Sequence, residues 1–250
     1  MNLGDIYNQV QALLGKDTYG GLVSPETFNL AIEKVNDDFT YVYIQAVEDN
    51  QVINDDVLPF IVTLGDSGSL PLSIDSFGYG TLPDDYVRYL SSLHVQYYNS
   101  NCTTATQKIR PIEMLNQAHF NMRLRTGMYF PTLSRPIATL QNDKVLVRPQ
   151  GITEIVFTYF RQPAQPVFDF DIITASGQPI YLPPGELHGS IAGTTVNPDF
   201  TAGDPSISVE FEWPEQLDTK IVDTLVAYFR VNIKDQYPPV DYPKPIPPVA

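Results

Sequence analysis

Cysteine is almost missing from this sequence. Cys102 stands alone among 250 residues, so an internal disulfide and a cysteine-based zinc site are both excluded. No apolar run is long enough to span a membrane as a helix. Bases are scarce: 15 Lys and Arg face 29 Asp and Glu, for a net charge of −14. A surface of that sign repels phosphate backbones and disfavours tight binding of DNA or RNA. The opening Met1-Asn2-Leu3-Gly4-Asp5 has no basic start leading into an apolar stretch. No secretory signal is therefore expected, and the chain is expected to be made and assembled in the cytosol.

Signatures of catalysis are missing as well. The three histidines, His94, His119 and His188, lie far apart, and none falls in an H-x-x-x-H or H-E-x-x-H arrangement. His94 sits in an alternating strand pattern and His119 on a helix, where an ordinary satisfied side chain is expected. No Walker-type or dinucleotide-binding glycine loop occurs. Gly65-Asp66-Ser67-Gly68 copies the loop around a chymotrypsin-like nucleophile, but no histidine precedes Ser67 as that chemistry requires. A β-turn that needs Gly and Asp explains the tetrapeptide. Paired acids occur at Asp37-Asp38, Asp55-Asp56, Asp84-Asp85 and Asp169/Asp171, none with the spacing of a calcium loop. Asp84 and Asp85 are expected to cap a turn after Pro83, and the others to lie in solvated loops. No catalytic residue, metal ligand or cofactor is assigned.

What is present points to a packed, mixed fold. Apolar residues make up 43% of the chain, enough for a sizeable core, and fifteen Tyr and thirteen Phe suit sheets and protein contacts. Residues 1–50 read as a helical hairpin. Ile6, Val10, Leu13 and Leu14 recur at helical spacing before Gly15. Ser24-Pro25-Glu26 then opens a second helix with the stripe Phe28, Ile32, Val35, Phe39, Val42 and Ala46, running to about Asp49. From 51 to 211 the pattern is strands and turns. Leu58–Leu64 and the alternating stretch Leu90–Tyr98 are expected strands. Pro111 is expected to open a short helix carrying Ile112, Leu115, Phe120 and Leu124. Ile137–Leu140 and Lys144–Val147 form an expected hairpin. Glu154–Arg161 is apolar on both faces, as in a strand buried on both sides.

Residues 163–205 hold seven prolines and five glycines and are expected to be a loop-rich insertion, with short strands near Pro179–Leu182 and Ile207–Phe211. After Trp213-Pro214 a final helix is expected to about Gln236, completing the bundle over 212–237. Its wide apolar face carries Leu217, Ile221, Leu225 and Tyr228 along one rim and Val222, Phe229 and Ile233 along the other. The segment 238–250 has six prolines in thirteen residues and is expected to be extended, reaching on the order of 40 Å. Pro238, Val240, Tyr242, Ile246 and Val249 are its candidate partner-binding residues. Arg110, Arg123, Arg125, Arg135 and Arg148 concentrate the basic charge and form a candidate inter-subunit patch. The expected class is α+β: a helical bundle, from the N-terminal hairpin and C-terminal helix, packed with a β-sandwich or barrel-like domain.

Several of these segments stand in an order that resembles a known family. Leu82-Pro83-Asp84-Asp85-Tyr86-Val87-Arg88-Tyr89-Leu90 is followed by Tyr129-Phe130-Pro131-Thr132, by Arg135-Pro136, and by Asp143–Pro149. Glu154–Pro163 and Glu212-Trp213-Pro214-Glu215 come next. The order is similar to that of head-to-tail connector (adaptor or ring) proteins of tailed bacteriophages, notably ring proteins of crAss-like short-tailed phages. The resemblance spans most of the chain except 163–205. It implies a non-enzymatic virion protein, assembled in the host cytoplasm into a homo-oligomeric ring, commonly of twelve subunits. Portal and adjacent ring or tail proteins are the implied partners, and DNA passes the channel without specific binding. A carbohydrate- or receptor-binding β-module of the tail is the alternative.

Overall fold

The computed structural model describes residues 2–15, 23–50, 55–65, 69–89, 95–99 and 108–235. The described helices are α1 (Leu3–Leu13), α2 (Pro25–Asn50), α3 (Gln117–Arg125) and α4 (Asp218–Asp235). Strands β1 (Ile61–Leu64), β2 (Leu72–Ser73), β3 (Tyr79–Thr81) and β4 (Tyr86–Arg88) precede β5 (Val95–Asn99) and β6 (Lys108–Met114). After α3 come β7 (Ile137–Gln141), β8 (Lys144–Arg148) and β9 (Glu154–Arg161), then β10 (Phe170–Ile173), β11 (Pro179–Tyr181) and β12 (Thr194–Thr195). The fold is mixed helix and sheet, an α+β chain. No described helix is long and apolar enough to cross a membrane.

The chain divides into two units, residues 1–41 with 163–250, and residues 42–162. The stretch 163–205, expected as an insertion in the β-rich part, thus groups with the helices. In the first unit, the Asn2 side chain accepts the Asp5 N–H at 2.8 Å and caps α1, which stops at Gly15 with φ of 63°. Ser24 Oγ accepts the Thr27 N–H at the start of α2. The buried side of α2 carries Phe28, Ala31, Ile32, Val35 and Phe39, then Tyr43, Ile44 and Val47. Val42 and Ala46, expected on that stripe, are exposed instead, because the buried row continues from Phe39 in steps of four.

Rings of Tyr7, Phe28 and Phe168 meet at 4.7–5.2 Å between centroids, joining α1, α2 and the strand-rich segment of the same unit. The Tyr7 hydroxyl donates to the Val23 carbonyl at 2.6 Å. Helix α1 packs on α4, whose Ile221, Val222, Leu225, Val226 and Phe229 are buried. The indole of Trp213 donates to Asn36 Oδ1 at 2.8 Å and its ring meets Phe39 edge-on.

The second unit is built on one sheet in the order β1-β9-β5-β6-β7-β8-β3, with β2 and β4 also pairing β9. The alternation of β8 explains its two faces: Val145 and Val147 join the main core with Ile155, Phe157 and Tyr159. Leu146 points the other way, to Phe120 and Ile137 under α3. Strand β9 is buried on both faces as expected, because Phe60 covers Phe160 on the second. Three further expectations fail. Residues 58–60, expected within a strand, close a 3-10 helix over Asp55–Phe60, and the strand begins only at Ile61, after Pro59, which has no N–H for a ladder. Pro111 and Ile112 lie in β6, not at a helix start; β7 pairs β6 only at Glu113 and Met114, so Pro111 stands beyond that stretch. Residues 207–211 form no strand beyond a single bridge of Val209 to Val167.

Candidate functional site

Phe168-Asp169-Phe170-Asp171 leads into β10 with an alternation that puts both carboxylates on one side of the chain, where both meet His188. His188 is brought to that side by the turn after β11. Its Nδ1 lies 2.8 Å from Asp171 Oδ1 and its Nε2 3.0 Å from Asp169 Oδ2. His188 is 1% exposed and stacks on Phe200 at 4.2 Å between centroids. Asp169 and Asp171 are buried with it, which corrects their expected place in solvated loops.

Every remaining carboxylate oxygen meets backbone N–H groups. Asp171 Oδ2 accepts from Gly189 at 2.8 Å, and Oδ1 from Asn197 at 3.4 Å. Asp169 Oδ1 accepts from Phe170 at 2.8 Å, and Oδ2 from Ile207 at 3.0 Å. The Asp169 N–H donates to Ser208 Oγ, which itself donates to the Leu182 carbonyl at 2.6 Å. Burial pushes the Asp171 carboxyl up, but the hydrogen bonds from Gly189, His188 and Asn197 outweigh it. The balance holds Asp171 below its usual value. Nearby, the Tyr181 hydroxyl donates to Glu210, and Glu210 also accepts the Leu3 N–H at 2.7 Å. Burial and that carboxylate push the Tyr181 phenol up.

This arrangement joins parts of the chain that are distant in sequence. Both ring nitrogens lie within hydrogen-bonding distance of a carboxylate, so neither faces outward. A general base needs one free nitrogen facing a nucleophile. The clamp instead ties the segments 169–171, 187–189, 197 and 207–208 into one body. Among the described residues no group of His, Cys, Asp and Glu is set to hold a metal ion. The sequence signal for the clamp was the apolar-flanked D-x-D, whose partner lies seventeen residues further on.

The other candidate residues have separate fates. Arg123 donates to Glu113 at 3.1 Å and lies over the Tyr129 ring at 5.5 Å. Arg148 donates to the carbonyls of Phe77 and Val147. A Cβ at Gly78 would come within 2.3 Å of its guanidinium, so the lack of a side chain at Gly78 leaves room for that bond. Arg110 Nε is buried and has no hydrogen-bond partner among the described residues. Arg125 and Arg135 are exposed. The five are therefore not used alike. His119 lies on α3 as expected. Gly65 donates its N–H to Ser69 Oγ at 3.0 Å, and residues 66–68 of the expected turn lie outside the described residues. Asp84 and Asp85 lie in a turn as expected, and Asp85 Oδ1 also accepts the Tyr159 hydroxyl at 2.8 Å. Ser67, His94 and the candidate tail residues Pro238, Val240, Tyr242, Ile246 and Val249 lie outside the described residues.

A groove of about 580 Å³ opens on the first unit between α2 and the segment 165–167. Glu26 and Glu33 flank its apolar floor of Leu30, Pro166 and Val167. Compared with protein-family models and with curated proteins, the chain matches none.

Proposed function

We propose that the chain is a structural subunit of a tailed bacteriophage, forming a homo-oligomeric ring, dodecameric in the resemblance, that joins the capsid portal to the tail. In this reading the helices form a bundle packed with a sandwich- or barrel-like β-domain, and the acidic channel wall lets the duplex slide. The observation that carries the non-enzymatic part is the clamp: the buried ionic cluster has its polar atoms taken up by the chain itself. The ordered motifs support the connector part. Pro83, Pro149 and Pro163 each follow a strand of one sheet, where a residue without an N–H ends pairing.

Two expected outcomes test the reading. Ser67→Ala leaves assembly unchanged, as a turn residue should; labelling of Ser67 by a fluorophosphonate probe overturns the non-enzymatic reading. Deleting residues 238–250 leaves the melting temperature of the monomer unchanged but prevents stable joining of head to tail. The tail is read as a strap between subunits, since a proline-stiffened segment loses little entropy on docking. Normal infectious particles carrying the truncated chain sink that assignment. Native mass measurement of the full chain tests the ring itself.

A further inference from the structure

One loop of the second unit presents what protein interfaces favour. Met122, Tyr129 and Phe130 are 56%, 55% and 55% exposed, within nine residues of chain. Arg125 and Arg135 flank them, also exposed. No acidic residue occurs between Glu113 and Asp143, although acids outnumber bases about two to one in the whole chain. The loop is also pre-formed. Thr126 Oγ1 donates to the Met122 carbonyl, the Tyr129 N–H donates to Thr126, and Thr132 and Arg135 exchange backbone bonds. Arg123 sits over the Tyr129 ring. Exposed Tyr, Phe, Met and Arg held in place by such bonds match the composition of interface anchors.

The first unit carries the complement. The groove beside α2 has an apolar floor, with Leu30 65% exposed, and glutamates 26 and 33 beside it. Its volume accommodates an aromatic side chain. Helix α2 carries six acids and a single lysine.

We infer that the Tyr129–Phe130 loop of one copy docks into the Glu26–Leu30–Glu33 groove of the next, with Arg125 and Arg135 facing the two glutamates. This rests on the homo-oligomeric reading above and names its contact. Two different patches meeting head to tail make a heterologous interface, which closes into a ring if the rotation permits. Charge complementarity selects the partner: a basic loop on a strongly acidic chain meets opposite charge on another copy of itself.

The test uses the full chain, followed by sedimentation velocity and native mass measurement. Arg125→Glu with Arg135→Glu weakens self-association by about tenfold or more, and so does Glu26→Arg with Glu33→Arg. Mixing the two variants restores it, because each reversed patch then meets a reversed partner. Phe130→Ser, with an unchanged melting temperature, weakens association without altering charge. Self-association of the parent that neither charge-reversed variant alters overturns this contact while leaving the ring standing. A parent that stays monomeric up to its solubility limit overturns both. Binding of a DNA duplex by the parent, lost in Arg125→Glu with Arg135→Glu, overturns the assignment to a second copy.

Discussion

His188→Ala destabilises the first unit by at least about 1–3 kcal/mol, the cost of leaving buried polar groups without their hydrogen-bond partner. Without the imidazole, two carboxyl groups with 2% and 0% side-chain exposure lose the ring that both of them meet. One of them must take up a proton, or the segments they hold must open to water. The stacking on Phe200 is lost as well. Urea unfolding followed through Trp213 reads this directly, because that tryptophan is the only one in the chain and is buried in the same unit. An unchanged midpoint would show that the clamp is not holding the unit together. Replacing all three residues with apolar side chains of similar volume is expected to cost far less than His188→Ala, since no charge is then left stranded.

The same clamp sets an acid limit. The Asp171 carboxyl is held below its ordinary value in the folded state, so between the folded and unfolded values the unfolded chain binds more protons. Its contribution is fully present above the unfolded value of about 3.9 and is lost as pH falls through the lower folded value. The midpoint of unfolding therefore falls as pH drops below about 4. In Asp171→Asn this part of the pH dependence disappears, which a urea titration across that window measures.

Leu225→Ala costs roughly 2–5 kcal/mol, toward the upper end where neighbours cannot close the cavity. Leu225 is 0% exposed in the middle of α4, one turn from Ile221 and from Phe229, which are buried as well. Truncation removes fully buried methyl groups and leaves a void in their place. Leu225→Met nearly conserves the volume and is expected to cost less than about 1.5 kcal/mol. A melting temperature for Leu225→Ala within error of the parent would show that this face of α4 is not core.

Local chemistry accounts for what was legible beforehand. Ser24-Pro25 and Gly15 act within one turn of their own helix ends, so the end of α1 and the start of α2 follow from neighbouring residues. The β7–β8 hairpin turns at Asn142, with φ of 51°, and β9 runs over the expected eight residues, because alternation and turn chemistry are also short-range. Where partners are distant, residue pattern misled. Pro111 looks like a helix start until β5 lies beside it as a pairing strand. Val42 and Ala46 fit an apolar stripe equally well, and only packing decided that Tyr43 and Val47 face inward. Asp169 and Asp171 read as solvated because isolated carboxylates avoid burial. Only the chain returning through 187–189 supplies the imidazole and N–H groups that let two carboxylates stay buried, and the D-x-D pattern does not itself say which residue seventeen positions away it will meet.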